Sequence, residues 1–255
     1  MRESNHPQRP SPQVKLVGFL VNPIAGMGGR VGLKGTDGMV QEARELGAMP
    51  VAPQRAEEAL RQLAKLQQHA ANTPPFRWLT CSGSMGEQSL RRAGLFGEDV
   101  EIVHAPATEP TTEDTEAAVR CFLARNVDLI FFCGGDGTAR DICRVAGQKT
   151  AILGIPSGVK MYSGIFGNSP ASAAEILDAF LKGRLTVSKA DVLDLDEDRY
   201  REDQWNVRLY HAALTPYEPM RTQFAKALID EASDSEAREE IAESLHDQFS
   251  SEPGP

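Results

Sequence analysis

The segment that most constrains the fold runs from Leu129 to Thr138 and reads LIFFCGGDGT. Its apolar half is typical of a buried strand, and its glycine-rich half leads into a helix that we predict to begin near Ala139. Gly134 and Gly135 carry no Cβ, so a phosphate can come close to their backbone N–H groups. The positive end of the helix dipole points at the same place. The segment therefore predicts a strand–loop–helix unit that binds phosphate.

Asp136 adds a carboxylate to this loop, and Gly137 and Thr138 complete it. A carboxylate beside bound phosphates can accept a proton or hold a magnesium ion. We therefore predict that Asp136 is catalytic and that the two residues after it help the preceding glycines to hold phosphates. The alternative is a structural turn in which Asp136 only caps the helix. A complete GGDGT run directly after a buried strand favours phosphoryl transfer over that alternative.

A second glycine-rich loop follows a predicted strand over Lys15–Asn22. Asn22 can donate an amide hydrogen bond to a phosphate or a ribose, and Gly26, Gly28 and Gly29 let the loop fold over a nucleotide. The loop does not complete the GxxxxGK[ST] pattern of a P-loop. Ligands of open α/β sheets bind at the carboxyl ends of the strands, so we expect both loops to face one crevice. The alternative is an ordinary surface loop.

A third segment, PSGVK, follows the predicted strand Ala151–Ile155. We predict that Lys160 contacts the nucleotide, because a lysine supplies a point charge for a phosphate in an otherwise acidic protein. The alternative for Lys160 is a solvated surface side chain.

Together these segments resemble a known group of kinases. GGDGT is similar to the signature shared by NAD kinases, diacylglycerol and sphingosine kinases, and bacterial 6-phosphofructokinases. LVNPIAGMGGRVGLKGTDG, beginning at Leu20, and GIPSGVKMYS, beginning at Gly154, resemble the ATP-NAD kinase-like proteins, which include members of acetoin-utilisation clusters. The resemblance implies an ATP-dependent kinase that uses Mg²⁺ and phosphorylates the 2′-hydroxyl of NAD. It also implies that Ser157 and Gly158 help to hold the nucleotide, because relatives use this segment to bind the nucleotide phosphates or the acceptor.

Two departures from that pattern concern the acceptor. Val159 and Lys160 stand where relatives carry hydroxyl and amide residues, and no Asn-Asn-Glu segment follows Lys160. Another small metabolite or a lipid is therefore an alternative acceptor, and polyphosphate is an alternative to ATP as the donor. A nucleotide-binding or regulatory protein without turnover is the alternative outside enzymes.

The predicted order of elements divides the chain into three parts. Residues 1–13 are polar and proline-rich, as in a disordered tail. Strands and helices alternate over 14–184, which predicts an α/β nucleotide-binding domain with a doubly wound parallel sheet. Residues 185–255 are predicted to form an incomplete β-rich second domain with a charged C-terminal helix.

That second domain contains only two predicted strands, Leu185–Leu195 and Trp205–Leu214, in which apolar and polar residues alternate. A pair of strands is a poor independent domain, and the resemblance implies a longer chain, so we expect a truncated or unusually short relative. Unpaired strand edges favour association, which predicts a homo-oligomer.

The net charge limits the classes of binding partner that we expect, and the cysteine content indicates the cellular compartment. The net charge of −9 and the pI of about 5.1 argue against a general affinity for nucleic acid or an anionic membrane. The four cysteines form no CxxC pair and are predicted to be structural thiols in a reducing cytoplasm. They are Cys81, Cys121, Cys133 and Cys143.

Overall fold

The structure is a computed structural model that describes residues 14–27, 45, 47–68, 74–106, 110–158, 161–195 and 207–223. The predicted tail over 1–13 and the predicted charged helix near the C-terminus lie outside the described residues. Three predicted site residues also lie outside them: Gly28, Gly29 and Lys160.

The described strands form one seven-stranded sheet in the order β3-β2-β1-β4-β5-β7-β6. The first five strands pair in parallel, and β6 pairs with β7 in antiparallel. This arrangement confirms the prediction of an α/β fold with a mostly parallel sheet. The strands are β1 (Lys15–Val21), β2 (Phe76–Cys81), β3 (Val100–His104), β4 (Leu129–Gly134), β5 (Ala151–Pro156), β6 (Val187–Leu195) and β7 (Val207–Pro216).

Helices cover both faces of the sheet, because each central strand is apolar on both sides. On β4, Phe131 faces the layer formed by α1 and α5, and the neighbouring Phe132 faces the layer formed by α3 and α4. The sheet is therefore doubly wound. The helices are α1 (Ala52–Gln68), α2 (Glu87–Arg92), α3 (Thr112–Ala124), α4 (Asp136–Ala146) and α5 (Pro170–Leu181).

The hairpin of β6 and β7 continues this sheet. β7 pairs in parallel with β5 through Ala151 and Leu214, and the β6–β7 register shifts between Val192 and Leu193. The described part of the predicted second domain thus shares the sheet of the first. Within the part of the chain that the structure describes, no helix combines the length and the apolar character needed to cross a bilayer.

Helix α4 begins three residues earlier than the sequence predicts. Gly135 is its N-cap in an extended conformation, and Asp136 is the first helical residue. The N–H of Ala139 donates to the carbonyl of Gly135 at 3.0 Å, which closes the first turn. The alternative in which Asp136 serves as the N-cap of this helix is therefore wrong.

The cysteines are free thiols, three of them buried and Cys121 partly exposed. Burial raises the pKa of Cys81 and of Cys143 to about 12, and it also raises the pKa of Cys133. The Cys133 thiol donates to the carbonyl of Ala52 at 3.2 Å. These three cysteines therefore behave as core residues, as predicted.

Iodoacetamide at pH 8 is expected to label Cys121 and to spare the three buried cysteines. A thiol with a pKa near 12 is ionised in only roughly one molecule in ten thousand at that pH, and only the thiolate reacts. Peptide mapping by mass spectrometry measures the labelling, and the denatured protein, in which all four cysteines react, is the control. Rapid labelling of Cys133 in the native protein would contradict the burial.

Candidate functional site

The strand order reverses between β1 and β4, which lie side by side in the sheet. From this point β2 and β3 extend to one side and β5 to the other, so the loops after β1 and β4 leave toward opposite faces. Ligands of open α/β sheets bind in the crevice that such a switch opens at the carboxyl ends of the strands. The first two predicted glycine-rich segments both begin at this crevice.

Asn22 joins these two segments. Its backbone N–H donates to the carbonyl of Cys133 at 2.9 Å, and its side-chain Nδ2 donates to Oγ1 of Thr138 at 2.9 Å. Its side-chain Oδ1 accepts from the N–H of Ile24 at 3.2 Å. The amide was predicted to reach a phosphate or a ribose, and here both of its ends have protein partners. Its role in this structure is to hold the two loops together.

Gly26 brings the third segment to the same place. Its φ of +81° is left-handed, and a Cβ at this position would lie 2.3 Å from the carbonyl oxygen of Ser157. The carbonyl of the preceding Ala25 accepts from the N–H groups of Val51 and Ala52, which fixes the loop against the start of α1. Both the conformation and the close approach require glycine.

Gly26→Ala is expected to destabilise the protein more than Gly47→Ala does. Gly47 has nearly the same φ, +79°, but among the described residues no atom lies within 4 Å of a Cβ placed there. The Gly47 variant therefore reports backbone strain alone, about 1–2 kcal/mol, and the Gly26 variant adds a clash with Ser157. Urea unfolding of both variants measures the difference. Equal losses would contradict the close packing of the two loops.

The first two glycines of the GGDGT loop have different surroundings. A Cβ on Gly134 would lie 2.6 Å from Cβ and Oγ1 of Thr138, so this glycine is required by packing within the protein. A Cβ on Gly135 would meet no atom of the described residues within 4 Å. The open space above the N-terminus of α4 therefore lies at Gly135, and Gly137 is half-buried in the first turn behind it.

Asp136 is 6% exposed and faces a loop that the sequence did not connect to it. Its Oδ2 accepts from the N–H of Tyr162 at 2.7 Å, and its Oδ1 accepts from the N–H of Ser163 at 3.1 Å. Sequence reasoning missed these two residues because backbone donors leave no side-chain signature. The nearest signal is the KMYS run, which belongs to the third segment of the resemblance.

Ser157 places a hydroxyl in the same region. It is 5% exposed, its N–H donates to the carbonyl of Gly134 at 3.2 Å, and its Oγ has no hydrogen-bond partner among the described residues. A buried hydroxyl without a partner is unfavourable, and a ligand oxygen would satisfy it. The next residue, Gly158, is exposed, and a Cβ on it would lie 2.7 Å from the sulfur of Met161.

Residues 17–185 match the family described as the ATP-NAD kinase N-terminal domain. The chain belongs to the ATP-NAD kinase family. The match begins in β1 and ends just before β6, so it contains all three glycine-rich segments and confirms the resemblance predicted from them. No curated protein and no solved structure matches the chain.

Proposed function

We propose that this chain is a kinase that transfers the γ-phosphoryl group of ATP to the 2′-hydroxyl of NAD. Family membership supports a phosphotransferase, and the choice of NAD as its acceptor goes beyond what the family shows. The observation that carries it is the open space at Gly135, at the N-terminus of an eleven-residue helix. Backbone N–H groups and the helix dipole favour an anion there, and a triphosphate is the anion that the family uses.

The phosphate contacts follow from the same geometry. The N–H groups of Gly135 and Gly137 and the hydroxyl of Thr138 would donate to phosphate oxygens. Thr138 Oγ1 already accepts from Asn22, so its own proton is available to be donated to another group. The buried hydroxyl of Ser157 supplies a further donor.

Magnesium fits this site as an ion that the nucleotide carries. Among the described residues, no three His, Cys, Asp or Glu side chains cluster in a way that could hold a metal. Mg²⁺ in kinase sites keeps several waters and is bound largely by phosphate oxygens, so a dedicated protein cage is not required. It would offset the negative charge on the transferred group.

Asp136 is proposed to accept the proton of the acceptor hydroxyl. The hydroxyl oxygen bonds to the γ-phosphorus of ATP, the bond to the bridging oxygen breaks, and ADP leaves with that electron pair. A carboxylate has about four lone-pair positions, so the hydrogen bonds from Tyr162 and Ser163 do not by themselves prevent Asp136 from taking a proton.

The test is a phosphorylation assay of a metabolite panel with ATP and Mg²⁺, followed by mass spectrometry. The expected product is NADP, and a parallel arm with polyphosphate tests the donor. Transfer to the hydroxyl of another metabolite would contradict NAD as the acceptor and would still support kinase activity. Nucleotide binding without transfer to any member of the panel would contradict the kinase and support a binding protein.

We also propose a cytoplasmic location and self-association. The four free cysteines, all within described residues, support a reducing compartment. β3 lies at one end of the described sheet, and the backbone edge of such a strand supports pairing with a second copy. Light scattering after size-exclusion chromatography measures the oligomeric state.

A further inference from the structure

The segment 161–167 lies between the candidate site and the β6–β7 hairpin. On one side it pairs with β5, where Gly154 donates to the carbonyl of Ile165 at 2.9 Å. On the other side Gly164 donates to the carbonyl of Asp191 on β6 at 2.9 Å. The segment therefore links the central sheet to the strand at its edge.

Ser163 makes the closest link to β6. Its side chain is fully buried, and its hydroxyl donates to the carbonyl of Leu193 at 2.9 Å and accepts from the N–H of Leu193 at 3.0 Å. One hydroxyl thus satisfies both backbone groups of a strand residue. The contact lies where the register of β6 against β7 shifts, between Val192 and Leu193.

The backbone of the same residue contacts Asp136. The N–H groups of Tyr162 and Ser163 each donate to one carboxylate oxygen. The orientation of that carboxylate therefore depends on where the backbone of residues 162–163 lies. That position depends in turn on the hydroxyl of Ser163 and its two hydrogen bonds to Leu193.

We propose that Ser163 is a positioning residue for phosphoryl transfer and that its hydrogen bonds to Leu193 on β6 orient Asp136. The inference rests on the proposed function, because it assumes that Asp136 acts as the base. Without the hydroxyl, both backbone groups of Leu193 lose a buried partner. The segment then keeps the backbone hydrogen bond from Gly164 to Asp191 but loses the link to β6 at the residue that contacts Asp136. Its two N–H groups then shift relative to the carboxylate, and a displacement of about 1 Å at a reacting group is enough to lower a rate a hundredfold.

Thr215 provides a matched control for the loss of a buried hydroxyl. It lies on the same hairpin, it is also fully buried, and its Oγ1 has no hydrogen-bond partner among the described residues. Thr215→Val therefore removes a hydroxyl from the hairpin without breaking the link to Asp136.

The experiment compares Ser163→Ala with Thr215→Val for thermal unfolding, ATP affinity by calorimetry, and kcat and KM with the acceptor that the wild-type protein phosphorylates. Ser163→Ala is expected to lower kcat by about tenfold to a hundredfold, with the Kd for ATP within about twofold of wild type. Thr215→Val is expected to leave kcat and the Kd for ATP unchanged. A purely structural role for Ser163 would lower the midpoint of unfolding without this selective loss of kcat.

Ser163→Cys is the second variant, because it keeps a side chain of similar shape with only weak hydrogen bonds. Its kcat should fall as well, even if the alanine variant does not fold. A wild-type kcat in a folded Ser163 variant, with Asp136→Asn inactive, would overturn this inference and leave the proposed function in place. Wild-type turnover in Asp136→Asn would overturn the proposed function itself.

Discussion

Asp136→Asn is expected to lower kcat by on the order of a hundredfold or more, because the amide cannot accept the proton of the acceptor hydroxyl. The substitution keeps the shape of the side chain and its place in the first turn of α4. Steady-state kinetics with saturating ATP and acceptor measure the loss. A wild-type rate would show that Asp136 is not the base.

The structure also predicts a loss of stability in this variant. Asp136 accepts a backbone N–H on each oxygen, from Tyr162 and from Ser163. Asparagine can accept only one of them and turns an N–H donor toward the other, which costs about 1–3 kcal/mol for the unsatisfied group. Because of these two hydrogen bonds, we expect Asp136→Asn to lower the free energy of unfolding as well as kcat.

Asp141→Asn is the matched control for this effect. Asp141 lies further along α4, is 8% exposed, accepts from Thr112 at 3.2 Å and pairs with Arg144 at 3.1 Å. Its substitution should also lower the free energy of unfolding while kcat per folded molecule stays near wild type. A comparable loss of kcat in Asp141→Asn would show that the lower kcat of Asp136→Asn results from impaired folding and not from loss of the base.

Gly135→Val is expected to weaken ATP binding by about tenfold to a hundredfold with the fold retained. The backbone of Gly135 is extended, with φ −108°, and a Cβ there would meet no atom of the described part of the chain within 4 Å. The valine side chain therefore enters the space where the phosphates are proposed to lie. The expected loss corresponds to about 1.5–3 kcal/mol for a hydrogen bond to a charged group. Calorimetry with ATP and Mg²⁺ measures it.

Two other glycines make this result interpretable. Gly97→Val also adds a side chain where a Cβ meets no described atom within 4 Å. Gly97 lies at the amino-terminal end of β3, so ATP affinity should stay at the wild-type value. Gly134→Ala forces a Cβ against Thr138 and should lower stability before any ligand is considered. Unchanged ATP affinity in a folded Gly135→Val protein would contradict the phosphate site.

The regular elements could be predicted closely where local signals are strong. The strands Lys15–Val21 and Ala151–Pro156 end within one residue of the predicted strands Lys15–Asn22 and Ala151–Ile155, because each is a short, mostly apolar run followed by a glycine-rich loop. The start of α4 was predicted too late, because a glycine N-cap leaves no side-chain signal and Asp136 looks like the capping residue. The doubly wound sheet followed from the alternation of strands and helices.

The internal contacts of the site could not be predicted in the same way. The sequence placed Asn22 and Thr138 at one crevice, but which group each would bond depends on the strand order, with β1 beside β4. The links from Asp136 to the backbone of Tyr162 and Ser163 depend on the path of a loop and on N–H groups that every residue carries. Such contacts become visible only in three dimensions.

The pairing of β1 with β4 has a consequence for the order in which the site is assembled. Val17 pairs with Leu129, 112 positions later in the chain, whereas the pairing of Lys15 with Phe76 on the other side of β1 is much more local. At the usual rates of synthesis, β4 leaves the ribosome roughly 6–20 s after β1. Until then Asn22 lacks the carbonyl of Cys133. The proposed nucleotide site is therefore complete only after β4 has docked, and nucleotide added during synthesis is expected to stabilise only the intermediates that form after that step.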